Sequence, residues 1–196
     1  MQHLLHHDGV VRSERFGWLL ICYRAPKQPS TARVATWRRL HRLGALYVGP
    51  STCLIPRELA DERALAAVAE GLTVAGGSID MFQIESFDAE AQRVLLARFN
   101  AERDAEYVEV VERAQALVTE LEQETQRAKF TFAEVEENEA DLTKLRRWLD
   151  TIGQRDHYGA PGRAQAEQVV EAAAQALRVF TERTVEADGQ ADRGLR

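Results

Sequence analysis

Six cations lie between positions 24 and 42: Arg24, Lys27, Arg33, Arg38, Arg39 and Arg42. Guanidinium groups carry forked N–H donors that fit the oxygens of phosphate, sulfate or chromate. A loop with Pro26 and Pro29 precedes Ser30-Thr31, and either hydroxyl can cap the helix that follows. The free backbone N–H groups at such a helix start also suit an anion. Arg24, Lys27 and Arg33 can therefore converge on a small oxyanion. Arg38, Arg39 and Arg42 sit further along the helix and suit the phosphates of a duplex. The competing reading is a solvated helix face, or one paired with acidic residues of this chain or of a second copy.

A candidate second anion site gathers Arg146, Arg147, Arg155 and His157, and His157 can also donate a proton. The plainer alternative there is a helix end where Asp156 pairs with Arg155. The acidic run Glu134, Glu136, Glu137, Glu139 and Asp141 lacks the Glu-x-x-His pairs of a di-iron site and reads as a solvated helix start. No Ser/His/Asp or Cys/His arrangement, P-loop or GxGxxG is present. No catalytic residue, metal or cofactor is therefore expected. Cys22 and Cys53 form no metal-ligand spacing and read as buried reduced thiols. His3, His6 and His7 can scavenge a metal, although a frayed terminus is the plainer account. Trp18, Trp37 and Trp148 all fall on faces expected to be buried.

The charge balance sharpens this reading. The chain has 196 residues, 45% hydrophobic, with a net charge of −6. Residues 1 to 60 hold nine Lys/Arg against three Asp/Glu, while the remainder holds sixteen against twenty-eight. A basic face early in the chain and an acidic, solvated later part follow. No apolar run approaches a membrane span, and the first residues lack the apolar core of a signal peptide.

The elements that must position these groups alternate clearly. Residues 17 to 24 read as a buried strand. A helix over the basic segment stops at Gly44, with Val34, Trp37, Leu40 or His41 and Gly44 on its inward period. Short strands at 46–48 and 52–55 flank Gly49-Pro50-Ser51. An amphipathic helix at 61–75 and a strand at 79–87 complete a βαββαβ order, the ferredoxin-like plan. From Asp88 onward the pattern is helical, with Thr131 and Glu134 at capping-box spacing. Three helices joined by short loops suggest an antiparallel three-helix bundle. The fold class is thus α+β: a flexible tail (1–16), a ferredoxin-like domain (17–88), a helical domain (89–187) and a disordered tail (188–196).

WLLICYRAPKQPSTARVATWRRLHRLGALYVG resembles the opening of the N-terminal domain of the ChrB family of chromate-resistance proteins. KFTFAEVEENEADLTKLRRWLDTIGQRDHYGAP resembles a second signature block of the same domain. More distantly, the first block is similar to the ferredoxin-like middle domain of PaaX-type repressors, and through it to small CRISPR integration proteins. The resemblance implies a cytoplasmic, non-enzymatic regulator or sensor, with DNA or the chromate oxyanion as partner and a homodimer as working form. The regulator would act on a chromate efflux operon. Full-length relatives carry a further chromate-response domain, so a separate partner protein bearing it is also implied. An interaction module serving that partner is the alternative. An oxyanion-binding detoxification enzyme has the least support. The CRISPR-like relatives hold a metal with an aspartate at the end of the first strand. Here Tyr23 and Arg24 occupy that place, and an arginine repels a hydrated cation.

Overall fold

The computed structural model describes residues 17–27 and 30–194. The expected tail over 1–16, with His3, His6 and His7, lies outside the described residues. Two compact units divide at Gln92/Arg93.

The first unit runs β1 (Trp18–Arg24), α1 (Ser30–Arg42), β2 (Leu46–Gly49), β3 (Thr52–Pro56), α2 (Glu62–Val74) and β4 (Ser78–Ile84). A short 3-10 turn, Arg57–Leu59, precedes α2. The four strands form one antiparallel sheet in the order β2-β3-β1-β4. Alternation along the strands sorts residues to two faces. Ile21 sits opposite Cys53 and Met81, and Tyr23 opposite Ile79. These residues share one core with Leu40 of α1 and with Leu65, Val68 and Leu72 of α2. The helices stop where the sequence supplies left-handed backbone: Gly44 and Gly76 both have φ +81°. Asp61 starts α2 by accepting from the N–H groups of Arg63 and Ala64 at 2.9 and 3.2 Å.

The inward face of α1 differs from expectation. Thr36 and Leu40 are buried, whereas Val34 and Trp37 are exposed. Trp18 is fully buried as expected, and Trp148 is half-buried. Trp37 is 45% exposed, so its assignment to the core is wrong. Hydropathy alone ranks the Val34–Trp37–His41 stripe above the Thr36–Leu40 stripe. The helix nonetheless turns its small hydroxyl and leucine inward, next to α2.

The second unit holds α3 (Ala89–Gln126) from Arg93 onward, α4 (Phe132–Arg155) and α5 (Arg163–Gly194). The buried stripe of α3 runs Tyr107, Val110, Ala114, Leu117, Leu121. That of α4 runs Val135, Asn138, Leu142, Leu145, with Ile152 further on, and that of α5 runs Ala166, Val170, Ala173, Leu177, Phe180. Steps of three and four place each stripe on one side of its helix. The apolar members of all three stripes form a single cluster. Asn138 is tolerated in its stripe because its amide donates to the Glu134 carbonyl at 2.7 Å. Thr131 accepts from the Glu134 N–H at 3.3 Å, so the expected cap forms. The disordered tail expected over 188–196 is corrected in part: α5 continues to Gly194.

The α3–α4 turn contains the one positive-φ residue other than glycine among the described residues, Ala128 at φ 50°. The N–H of Lys129 reaches back to the Glu124 carbonyl at 3.0 Å, closing the helix end. An alanine there carries a Cβ penalty of about 1–2 kcal/mol, partly offset by the stiffer unfolded chain. Ala128→Gly is expected to stabilise the protein by about 0.5–1 kcal/mol in urea unfolding. Destabilisation would show that the turn is held by something other than backbone preference.

Candidate nucleic-acid interface

Arg24 closes β1 and pairs across the sheet with Ser78. The next turn packs tightly against it: a Cβ on Gly77 would lie 2.5 Å from the Arg24 carbonyl oxygen. Glycine at 77 thus lets β4 begin beside the strand end that carries the arginine. Lys27 stands exposed in the loop, and Arg33, Arg38 and Arg42 are exposed on α1. The α1 sequence contains no acidic residue. Arg24, Lys27, Arg33, Arg38 and Arg42 have no carboxylate within ion-pair distance among the described residues.

Arg39 behaves differently from its neighbours. Its guanidinium donates to the Ala67 carbonyl of α2 at 3.2 Å and lies over Gly71, where a Cβ would come within 2.9 Å. It fastens α1 to α2. The five other cations are left facing outward. Beside them Trp37 and His41 stack at 5.1 Å with their planes 9° apart. That pair is part of the face and escaped sequence reasoning. Local charge gave no signal for it: Trp37 has Arg33 one turn before it, but Val110 has Glu106 and Arg113 one turn to either side and is fully buried.

Three of the four residues of the candidate second site go to separate partners. Arg146 approaches Glu171 of α5 at 3.9 Å, and Arg147 is exposed. Arg155 is buried; it donates to the Thr151 carbonyl at 3.1 Å and pairs with Glu106. His157 is exposed and meets Tyr158 edge-on at 4.7 Å.

What the structure builds at that end is an internal polar network. Glu106 lies between two buried guanidiniums, Arg155 and the fully buried Arg103, the latter at 3.0 Å. Arg103 also lies over the Phe99 ring at 5.2 Å. Tyr107 donates to Asp156 at 3.0 Å, and Asp156 accepts from the Ala160 N–H at 2.8 Å. Asp104 accepts from the Gly162 N–H at 2.7 Å. Burial raises the Glu102 carboxyl above the ordinary range. Burial, then the charge of Asp156, holds the Tyr107 phenol above its usual value, so it remains a donor. The network joins α3 to the α4–α5 turn. Sequence signals existed in the Arg103/Glu106 spacing and in Asp156 at a helix end, but neither announces burial.

The two thiols are set apart by the strand register. Cys53 faces the helix-covered core and is fully buried, while Cys22 pairs with Thr52 and Asp80 on the other face. Burial, then the neighbouring Cys22, pushes the Cys53 thiol up to about 12. No group of three or more His, Cys, Asp and Glu that could hold a metal occurs among the described residues. No helix among them is long and apolar enough to cross a membrane.

These features define a class: an α+β chain in which a four-stranded antiparallel sheet presents a basic helix free of carboxylates, followed by three acidic helices. The family model described as Protein ChrB, N-terminal, matches residues 33–191. The chain belongs to that family, which links it to chromate resistance. A comparison with curated proteins gives no match.

Two outcomes are expected. Glu106→Gln leaves Arg103 and Arg155 without their shared charge and should cost about 3 kcal/mol in chemical unfolding; a loss below about 0.5 kcal/mol would remove the network from the stability of this unit. For Cys53, the unfolded chain ionises from about pH 9 while the folded thiol holds its proton to about 12, so this group's stabilisation declines across that window. At pH 8 Cys53 should resist a thiol reagent until the protein unfolds, as peptide mapping would reveal.

Proposed function

We propose that this chain is a nucleic-acid-binding regulatory component of chromate resistance, acting through the exposed face of α1. One contrast carries the reading. In the helical unit Arg103, Arg127, Lys129, Lys144, Arg146, Arg155, Arg163 and Arg178 each pair with a carboxylate, and among the described residues the exposed Arg113, Arg147 and Arg183 are scattered exceptions. On and beside α1, five cations stand exposed without one among the described residues. A net charge of −6 disfavours casual attraction to polyanions, so a local cationic face kept free of internal partners reads as a contact surface. The link to chromate resistance comes from family membership.

The same reading takes the first unit as ferredoxin-like, which its element order and strand order support. It takes the second as an antiparallel helical bundle, which the shared apolar cluster supports. A cytoplasmic dimer would present two α1 faces to one polyanion. The protein acts by binding, and chromate or a partner protein modulates that binding.

The test is fluorescence anisotropy with duplex DNA from upstream of the protein's own reading frame, against scrambled duplex, at two salt concentrations, with and without chromate. Arg38→Ala/Arg42→Ala is the variant of choice because it spares Arg39 and its α2 contact. Binding should weaken with salt, and the double variant should lower the salt slope by about two. No binding at low salt, or binding untouched by the variant, would remove α1 from the function.

A further inference from the structure

The arginines of α1 account for attraction to any polyanion; they do not account for Trp37. An indole 45% exposed on a charged helix, with its ring parallel to the imidazole of His41, is an unusual use of the largest apolar side chain. Steps of four residues form two adjoining rows on this face, Arg33–Trp37–His41 and Val34–Arg38–Arg42. An aromatic pair therefore has cations on both sides, and α1 itself carries no carboxylate.

A flat aromatic surface bordered by cations matches the two halves of a nucleotide: a base to stack, and a phosphate to neutralise. In an intact duplex the base faces are already stacked on one another, and an indole finds none to cover. In a single strand they are free. The other tryptophans differ, since Trp18 is fully buried and Trp148 half-buried. We infer that Trp37, backed by His41 and bordered by Arg33 and Arg38, is a stacking platform for an unpaired nucleobase, so that the α1 face takes single-stranded DNA in preference to an intact duplex. This rests on α1 being the nucleic-acid interface and names the form of nucleic acid it takes.

The experiment uses the full chain with a labelled oligothymidine of about 15 nucleotides and a duplex of equal length, at low salt, following anisotropy and tryptophan emission together. The oligothymidine should bind about tenfold more tightly than the duplex and quench the emission. Trp37→Ala should lose about tenfold in affinity for the single strand, with an unchanged far-ultraviolet dichroism spectrum. Trp37→Phe keeps a stacking ring, so it should stay within about threefold of the wild type while the quenching disappears. Duplex-preferring binding that Trp37→Ala leaves intact would overturn the platform and leave the basic-helix reading standing. Binding of neither probe would overturn both.

Discussion

The azimuth of α1 about its own axis decides what this protein can present. Two contacts fix it: Leu40, fully buried against the sheet core, and Arg39, whose guanidinium rests on the backbone of α2. A rotation that buried Trp37 would pull Arg39 off the Ala67 carbonyl and lift Leu40 toward solvent, exposing a leucine and leaving a backbone acceptor to water. Burying a leucine contributes about 1.5–3 kcal/mol, so Leu40 alone is a substantial anchor. With that anchor in place, Trp37, His41, Arg33, Arg38 and Arg42 have nowhere to point but outward. Packing on the opposite side of the same helix thus sets the direction in which the cationic face points.

The two units treat charge in opposite ways. The helical unit is rich in carboxylates and spends most of its basic residues on them. It even takes two guanidiniums into its interior, where Glu106 answers both. Buried ions of this kind stabilise little in total, yet they penalise any arrangement that separates the partners. They thus define how α3 meets the α4–α5 turn more than how tightly it does so. The sheet unit instead keeps its core apolar and leaves its arginines to solvent.

Much of this was legible in the residues. Strand alternation, Gly44 and Gly76 as helix stops, the Thr131 cap and the order of elements all follow local rules of backbone preference and periodicity, and the structure follows them. The rotation of α1 was not legible. Its sequence contains two overlapping stripes, and the deciding contacts come from α2, which is distant in sequence. The second anion site failed to assemble for a related reason. Arg146, Arg147, Arg155 and His157 are near in sequence, but Arg146 and Arg155 are each claimed by what lies opposite their own face of the helix, and Arg147 is exposed. Arg155 meets α3, and Arg146 meets α5. The buried polar network was invisible because burial of Arg103 is a tertiary fact that charge patterning hides.

The layout of charge along α1 has a thermodynamic side. Its basic residues crowd the final turns, where Arg39, His41 and Arg42 complement the partial negative charge of the macrodipole. Its first turn holds no acidic residue to complement the positive end, and Arg33 sits there with the wrong sign. The start of this helix is thus the part its own sequence stabilises least. An anion bound beside it would supply the missing negative charge, and occupancy and the order of the first turn would then be linked quantities. Binding there would stabilise the first turn by the same free energy that the first turn's order lends to binding. The affinity of such a face and the helicity of its first turn would rise and fall together.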